Sequence, residues 1–146
     1  MERKVNMHSI SGHRDVPHTA DLRIEAWAPT RDECIREAVL GAVESFLDTS
    51  AASAPTRTRR SRLNGERDDD LLAAVLDEVI YLLDTEGEVP VDLSLRDVDG
   101  GVEVSFAMVD ASDLPQLGAI PKAVALNDIR LSRDPDGWRC LVTLDV

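Results

Sequence analysis

Polar and apolar residues alternate with a period of two from residue 22 onward, with Leu22, Ile24 and Ala26 set between Arg23, Glu25 and Trp27. Successive side chains of a strand point to opposite faces, so this segment reads as a half-buried strand that ends at Pro29. The period then lengthens. Thr30 is placed as a helix N-cap, with Glu33 three residues on as its capping-box partner and Asp32 adding favourable charge in the first turn. Ile35, Ala38, Val39, Ala42, Val43, Phe46 and Leu47 follow at spacings of three and four, which turns one apolar stripe toward a core.

Residues 49–56 are small and include a proline, the composition of a loop, and residues 58–63 predict a short strand before a turn at Asn64-Gly65. A second helical stripe is carried by Leu71, Leu72, Val75, Leu76, Val79, Ile80 and Leu83. Asp68, Asp69 and Asp70 lead into it, where the positive end of the helix stabilises acids, and Gly87 can supply the left-handed residue that closes it. Strands then dominate: residues 89–98 and 102–109 form a hairpin around Asp99-Gly100-Gly101, and residues 110–119 are a loop. Two further strands, 122–132 and 138–146, flank the turn Asp134-Pro135-Asp136-Gly137. The order strand, helix, strand, helix, then four strands predicts an α+β fold: one domain over residues 1–146, two helices packed on a mixed, mainly antiparallel sheet. Residues 1–12 are expected to be flexible.

Composition narrows the class. A chain of 146 residues that is 43% hydrophobic can bury a core without disulfides. Cys34 and Cys140 lie in apolar elements and in no metal-binding pattern, so they read as buried free thiols. No apolar run approaches the roughly 20 residues a membrane span needs, and the first residues lack the apolar stretch of a secretory signal, so a cytoplasmic protein is expected. The formal charge of -12 disfavours direct nucleic-acid binding, because phosphate backbones are held by Lys and Arg. Arg57, Arg59, Arg60 and Arg62 are the local exception. On a strand they divide between two faces, which suits a solvated edge strand better than a continuous basic patch.

Candidate chemistry is sparse. No nucleophile elbow, Cys-His grouping or phosphate-cradling glycine loop is present, so no catalytic residue is assigned. His8, His13 and His18 are spaced by five, which suits neither a helical pair nor one face of a strand, and His8 and His13 fall in the stretch expected to be flexible. Asp21 and Asp145 are different. Each places a charge where the chain enters or leaves an apolar strand, and the main chain and terminal carboxylate of Val146 adjoin the second. Brought together, these oxygens would make the environment that hard divalent cations prefer. Sequence spacing does not bring them together, and a surface aspartate at each position is the default reading.

Longer matches add to this picture. His18-Thr19-Ala20-Asp21 before a strand, and Leu82-Leu83-Asp84-Thr85-Glu86-Gly87 closing a helix, resemble the archease family, whose members read HTAD and LFDTEG there. Pro121-Lys122-Ala123-Val124, Gly137-Trp138-Arg139 and Leu144-Asp145-Val146 are similar to the family's EVKAVTYH, DGW and closing LDI. The matches run in order from about residue 12 to residue 146. The resemblance implies that Asp21, Asp145 and the main chain of Val146 bind a divalent cation, usually calcium. It also implies an accessory protein of an RtcB-type RNA ligase, in tRNA splicing or RNA repair, which promotes ligase guanylation and multiple turnover and broadens nucleotide use without being a ligase.

Lys122 falls on the family lysine and is a candidate contact to the ligase or its nucleotide. Ala125, Leu126 and Asn127 depart from the family's Thr-Tyr-His, and the loop before Lys122 lacks the family's usual histidine. Neither departure touches the expected cation ligands. Two other readings use the same residues: a metal-dependent phosphoester hydrolase, and a non-catalytic interaction module whose cation fixes the chain terminus.

Overall fold

The computed structural model describes residues 11–16 and 21–146. Two helices pack on antiparallel sheets. In chain order the elements are β1 (Gly12–Val16), β2 (Asp21–Ala28), α1 (Arg31–Glu44), β3 (Arg57–Leu63), α2 (Asp68–Glu86), β4 (Glu88–Val98), β5 (Gly101–Asp110), β6 (Ala123–Val124), β7 (Arg130–Asp134) and β8 (Gly137–Asp145). One sheet has the order β1-β2-β8-β6, with β7 also on β8, and a second has the order β3-β5-β4. The expected single mixed sheet is thus two sheets, and every strand pairing among the described residues is antiparallel. The helices join them, α1 lying on β2, β8 and β4, and α2 on β3, β4, β6 and β7.

Local chemistry accounts for the helix ends. The Thr30 hydroxyl accepts the Glu33 amide at 3.2 Å and donates to the Glu33 carboxylate at 2.9 Å, so cap and partner hold each other. Gly87 closes α2 at φ 69°, a left-handed conformation that costs glycine nothing. The three leading acids of α2 occupy its first turn, as expected, and Asp69 also accepts the Leu131 amide at 2.6 Å, tying the helix start to β7. Every residue of the α1 stripe is buried, and Phe46 and Leu47 continue it past the helix end.

Two further expectations are corrected. Residues 122–132 do not form one strand: β6 and β7 are separated by a helical turn at Leu126–Asp128, which folds over the outer face of β8. There the Ala125 amide donates to the Thr143 carbonyl at 2.9 Å, and Thr143 is buried although it points away from the helices. Residue 12 and His13 belong to β1, which the sequence pattern did not predict. Its stability comes from pairing Gly12–Val16 with residues 23–27 and from α1 rather than from its own alternation. His8 and residues 1–10 lie outside the described residues, as do residues 17–20, including His18.

His13 is an anchor, not part of a flexible tail. Its ring nitrogens lie 2.8 Å from Glu37 Oε1 and 2.8 Å from Glu44 Oε1, both on α1. Gly41 makes room for it, since a Cβ there would come within 2.9 Å of the ring. The basic stretch of β3 divides as expected. Arg57 and Arg59 meet the buried Glu88 at 2.9 and 2.7 Å, whereas Arg60 and Arg62 lie on the opposite face of this edge strand. Both cysteines are free and buried, and the structure places them together: the Cys140 thiol points at the Cys34 carbonyl, 3.9 Å away. Contact with Cys34 and burial push the Cys140 thiol far above the ordinary thiol range.

Burial lowers the His13 pKa, but the hydrogen bonds to Glu37 and Glu44 outweigh it and leave the value raised above 6.5. A raised value means that the protonated ring adds stability below about pH 6.5, and that this contribution fades as pH climbs through the folded-state value. His13→Gln is therefore expected to lower Tm more at pH 5.5 than at pH 8.5. An equal loss at both would show that the ring acts by packing alone.

Candidate metal centre

The long β2–β8 ladder puts the two singled-out aspartates side by side. Its register pairs Asp21 with Asp145, Leu22 with Leu144, and so on to Ala28 with Trp138. Even-numbered residues of both strands turn to the core, where Ile24, Ala26, Ala28, Cys140, Val142 and Leu144 are buried. The odd-numbered set, Asp21 and Asp145 included, must then share the other face. Residues directly opposed on one face have Cβ atoms about 4.5 to 5.5 Å apart, within reach of one cation bound by both carboxylates. Asp21 is half-buried and Asp145 exposed.

The third strand completes a row. Ala123 of β6 pairs with Asp145, and the Lys122 amide donates to the Asp145 carbonyl at 2.7 Å. This fixes the exposed Lys122 at the edge of the same end of the sheet. With the Asp145 carbonyl engaged, the Val146 main chain is the nearest remaining backbone oxygen along β8, and the Val146 side chain is half-exposed. The structure thus brings together Asp21, Asp145, Lys122 and Val146.

A second row, one step inward on the same face, was not singled out from the sequence. Arg23 pairs with Thr143, and the Thr143 hydroxyl lies 3.5 Å from Asp128 Oδ2. Arg23 Nε is buried without a hydrogen-bond partner among the described residues. The alternation marked Arg23 merely as an outward-facing polar residue; only the register puts it on the same face as Asp21 and Asp145, one step inward along the ladder.

The donor set suits a hard cation held by few protein ligands. Among the described residues, no three His, Cys, Asp or Glu side chains cluster as a closed metal centre would require. Two carboxylates and a main-chain oxygen leave further positions of a six- to eight-coordinate ion to water or to a partner's groups, as calcium and magnesium tolerate. Such an arrangement can bind and present a cation.

The chain has relatives among known proteins. The model of the Archease protein family matches residues 13–146. The chain is 72% identical over 136 residues to a Mycobacterium tuberculosis (strain H37Rv) protein named "Probable protein archease", covering 93% of this chain and 75% of that one. It is 29% identical over 137 residues to "Protein archease" of Methanosarcina barkeri, covering 88% and 92%. The solution structure of a Methanobacterium thermoautotrophicum protein shares the fold at a TM-score of 0.72 and 22% identity, over 92% of this chain and 99% of that one. So does the crystal structure of an archease, described as a possible chaperone, from Thermotoga maritima, at a TM-score of 0.64 and 18% identity, over 91% and 96%.

Like charges directly opposed across an antiparallel pair are destabilising by a few tenths to about 1 kcal/mol. In chelator, Asp145→Asn is therefore expected to leave thermal stability unchanged or to raise it by up to that amount. A loss of more than about 2 kcal/mol would mean that the carboxylate is built into the fold itself.

Proposed function

Since this chain belongs to the archease family, we propose that it is an accessory protein of an RtcB-type RNA ligase, presenting a divalent cation, calcium by preference, on Asp21, Asp145 and the Val146 main chain. The observation that carries this reading is the opposition of the two aspartates in the β2–β8 register. Side chains 124 residues apart in sequence face one another at an accessible sheet end, where two carboxylates can share one cation. When bound, the cation supplies Lewis acidity toward phosphate oxygens.

The chain's own residues do the rest. The sheet holds Asp21 and Asp145 in fixed register, the β6 hydrogen bond holds the Lys122 backbone beside them, and the Lys122 ammonium is left to meet a phosphate or an acidic group of the ligase. A charge of -12 suits approach to an enzyme whose site must be basic to hold nucleotide and RNA. The accessory promotes guanylation and repeated turnover, in tRNA splicing or RNA repair, and broadens nucleotide use, while bond making stays with the ligase. The role of helper protein is also the one named for the Thermotoga relative, a possible chaperone.

Multiple-turnover ligation by the ligase of the same organism tests the reading. The wild-type protein should raise turnover, and Asp21→Ala or Asp145→Ala should lower that stimulation by tenfold or more. Full stimulation by both variants would contradict it. In parallel, calcium at about one hundred times its Kd should stabilise the wild type by about 2.7 kcal/mol and leave Asp145→Ala unmoved.

A further inference from the structure

A groove of about 660 Å³ runs along the outer side of α2, next to the end that carries Lys122. Its lining combines the apolar side chains of Ile80, Tyr81, Leu83, Ile120 and Pro121 with three charged residues, Asp77, Asp84 and Lys122. Tyr81 is 59% exposed and Ile120 47%. The other large exposed hydrophobics of the described residues, Leu117, Leu126 and Val146, lie outside the groove lining. Exposed apolar side chains are ordinary singly, but concentrated around a groove they mark a surface that another molecule covers.

Charge specifies the occupant. Asp77 and Asp84 are seven residues apart on α2, hence two turns and about 10.5 Å along its axis, and on one face. Most acids of this chain that face arginines pair with them, as at Asp92, Asp97 and Glu103. Neither Asp77 nor Asp84 makes a side-chain hydrogen bond or ion pair among the described residues, and neither does Lys122. A groove lined by apolar side chains, with two acids at helical repeat on α2 and one cation on the facing loop, is complementary to an amphipathic helix.

We infer that this groove docks a basic amphipathic helix of the partner protein, with Arg or Lys at positions i and i+7 against Asp77 and Asp84, apolar residues between them against Ile80, Tyr81 and Ile120, and an acid toward Lys122. The inference rests on the reading of the chain as an accessory that acts by docking, and it assigns the surface that does so. Affinity then resides in the groove, and the effect on the partner resides in the adjoining carboxylate pair.

The probe is a fluorescent alanine-based helical peptide of about sixteen residues with two arginines seven positions apart, leucines between them on the same face, and one glutamate on the far edge. Saturable binding to the full-length wild-type protein is expected. Asp77→Asn/Asp84→Asn and, separately, Ile120→Ser should each weaken it about tenfold, while Asp99→Asn/Asp113→Asn, which removes equal charge elsewhere, should change it less than twofold. Equal weakening by the control pair, or no saturable binding, overturns the groove. In the ligation assay, groove variants should raise the accessory concentration needed for half-maximal stimulation about tenfold and preserve the maximum. An unchanged half-maximal concentration also overturns the inference. If the wild type fails to stimulate the ligase at all, the ligase reading fails, and peptide binding still decides the groove.

Discussion

The antiparallel pairing of β2 with β8 is the constraint on which the rest of this molecule depends. Eight consecutive residue pairs, from Asp21 with Asp145 to Ala28 with Trp138, join the early part of the chain to its last strand. A slip of one residue would turn Ile24, Ala26, Val142 and Leu144 out of the core and drive charges into it, so the apolar alternation fixes the register strongly. That same register determines which polar residues meet on the other face. The opposition of two carboxylates is therefore a by-product of core packing, held with the rigidity of the core.

Around this ladder the remaining elements are placed by what they cover. Helix α1 lies on β2 and β8 and is pinned to β1 by the His13 bonds to Glu37 and Glu44; helix α2 spans to the second sheet. The buried Glu88, held by two arginines of the edge strand β3, fastens that second sheet where α2 ends. Such an ion pair contributes less through its own attraction than it would cost if one partner were removed, since a lone buried carboxylate is expensive.

Much of this was legible in the sequence because local periodicity and turn chemistry agree with the final fold. The stripe from Ile35 to Leu47, the Thr30 cap, the acids before Leu71, the Gly87 stop and the Asp99-Gly100 hairpin depend on near neighbours alone. What was not legible is non-local. Strand β1 has no alternation of its own and is defined by its neighbours; residues 122–132 look like one strand until the turn at Leu126–Asp128 folds onto Thr143; and the division into two sheets leaves no local trace. Arg23, the contact between Cys34 and Cys140, and the alignment of Tyr81 with Ile120 arise only on folding. For Asp21 and Asp145 the sequence showed two misplaced charges, and only the register makes them a pair.

The proposed cation site, a sheet end where Asp21 and Asp145 oppose each other, adjoins the proposed docking groove beside α2. Lys122 stands at the boundary of both, its amide fixed to Asp145 and its side chain at the groove. The central claim is that the opposed aspartates hold a divalent cation. Its most direct measurement is an anomalous difference map from crystals grown in calcium. The account predicts one peak coordinated by Asp21, Asp145 and the Val146 main chain; well-ordered aspartates with no peak between them, or an ion bound only elsewhere, would contradict it.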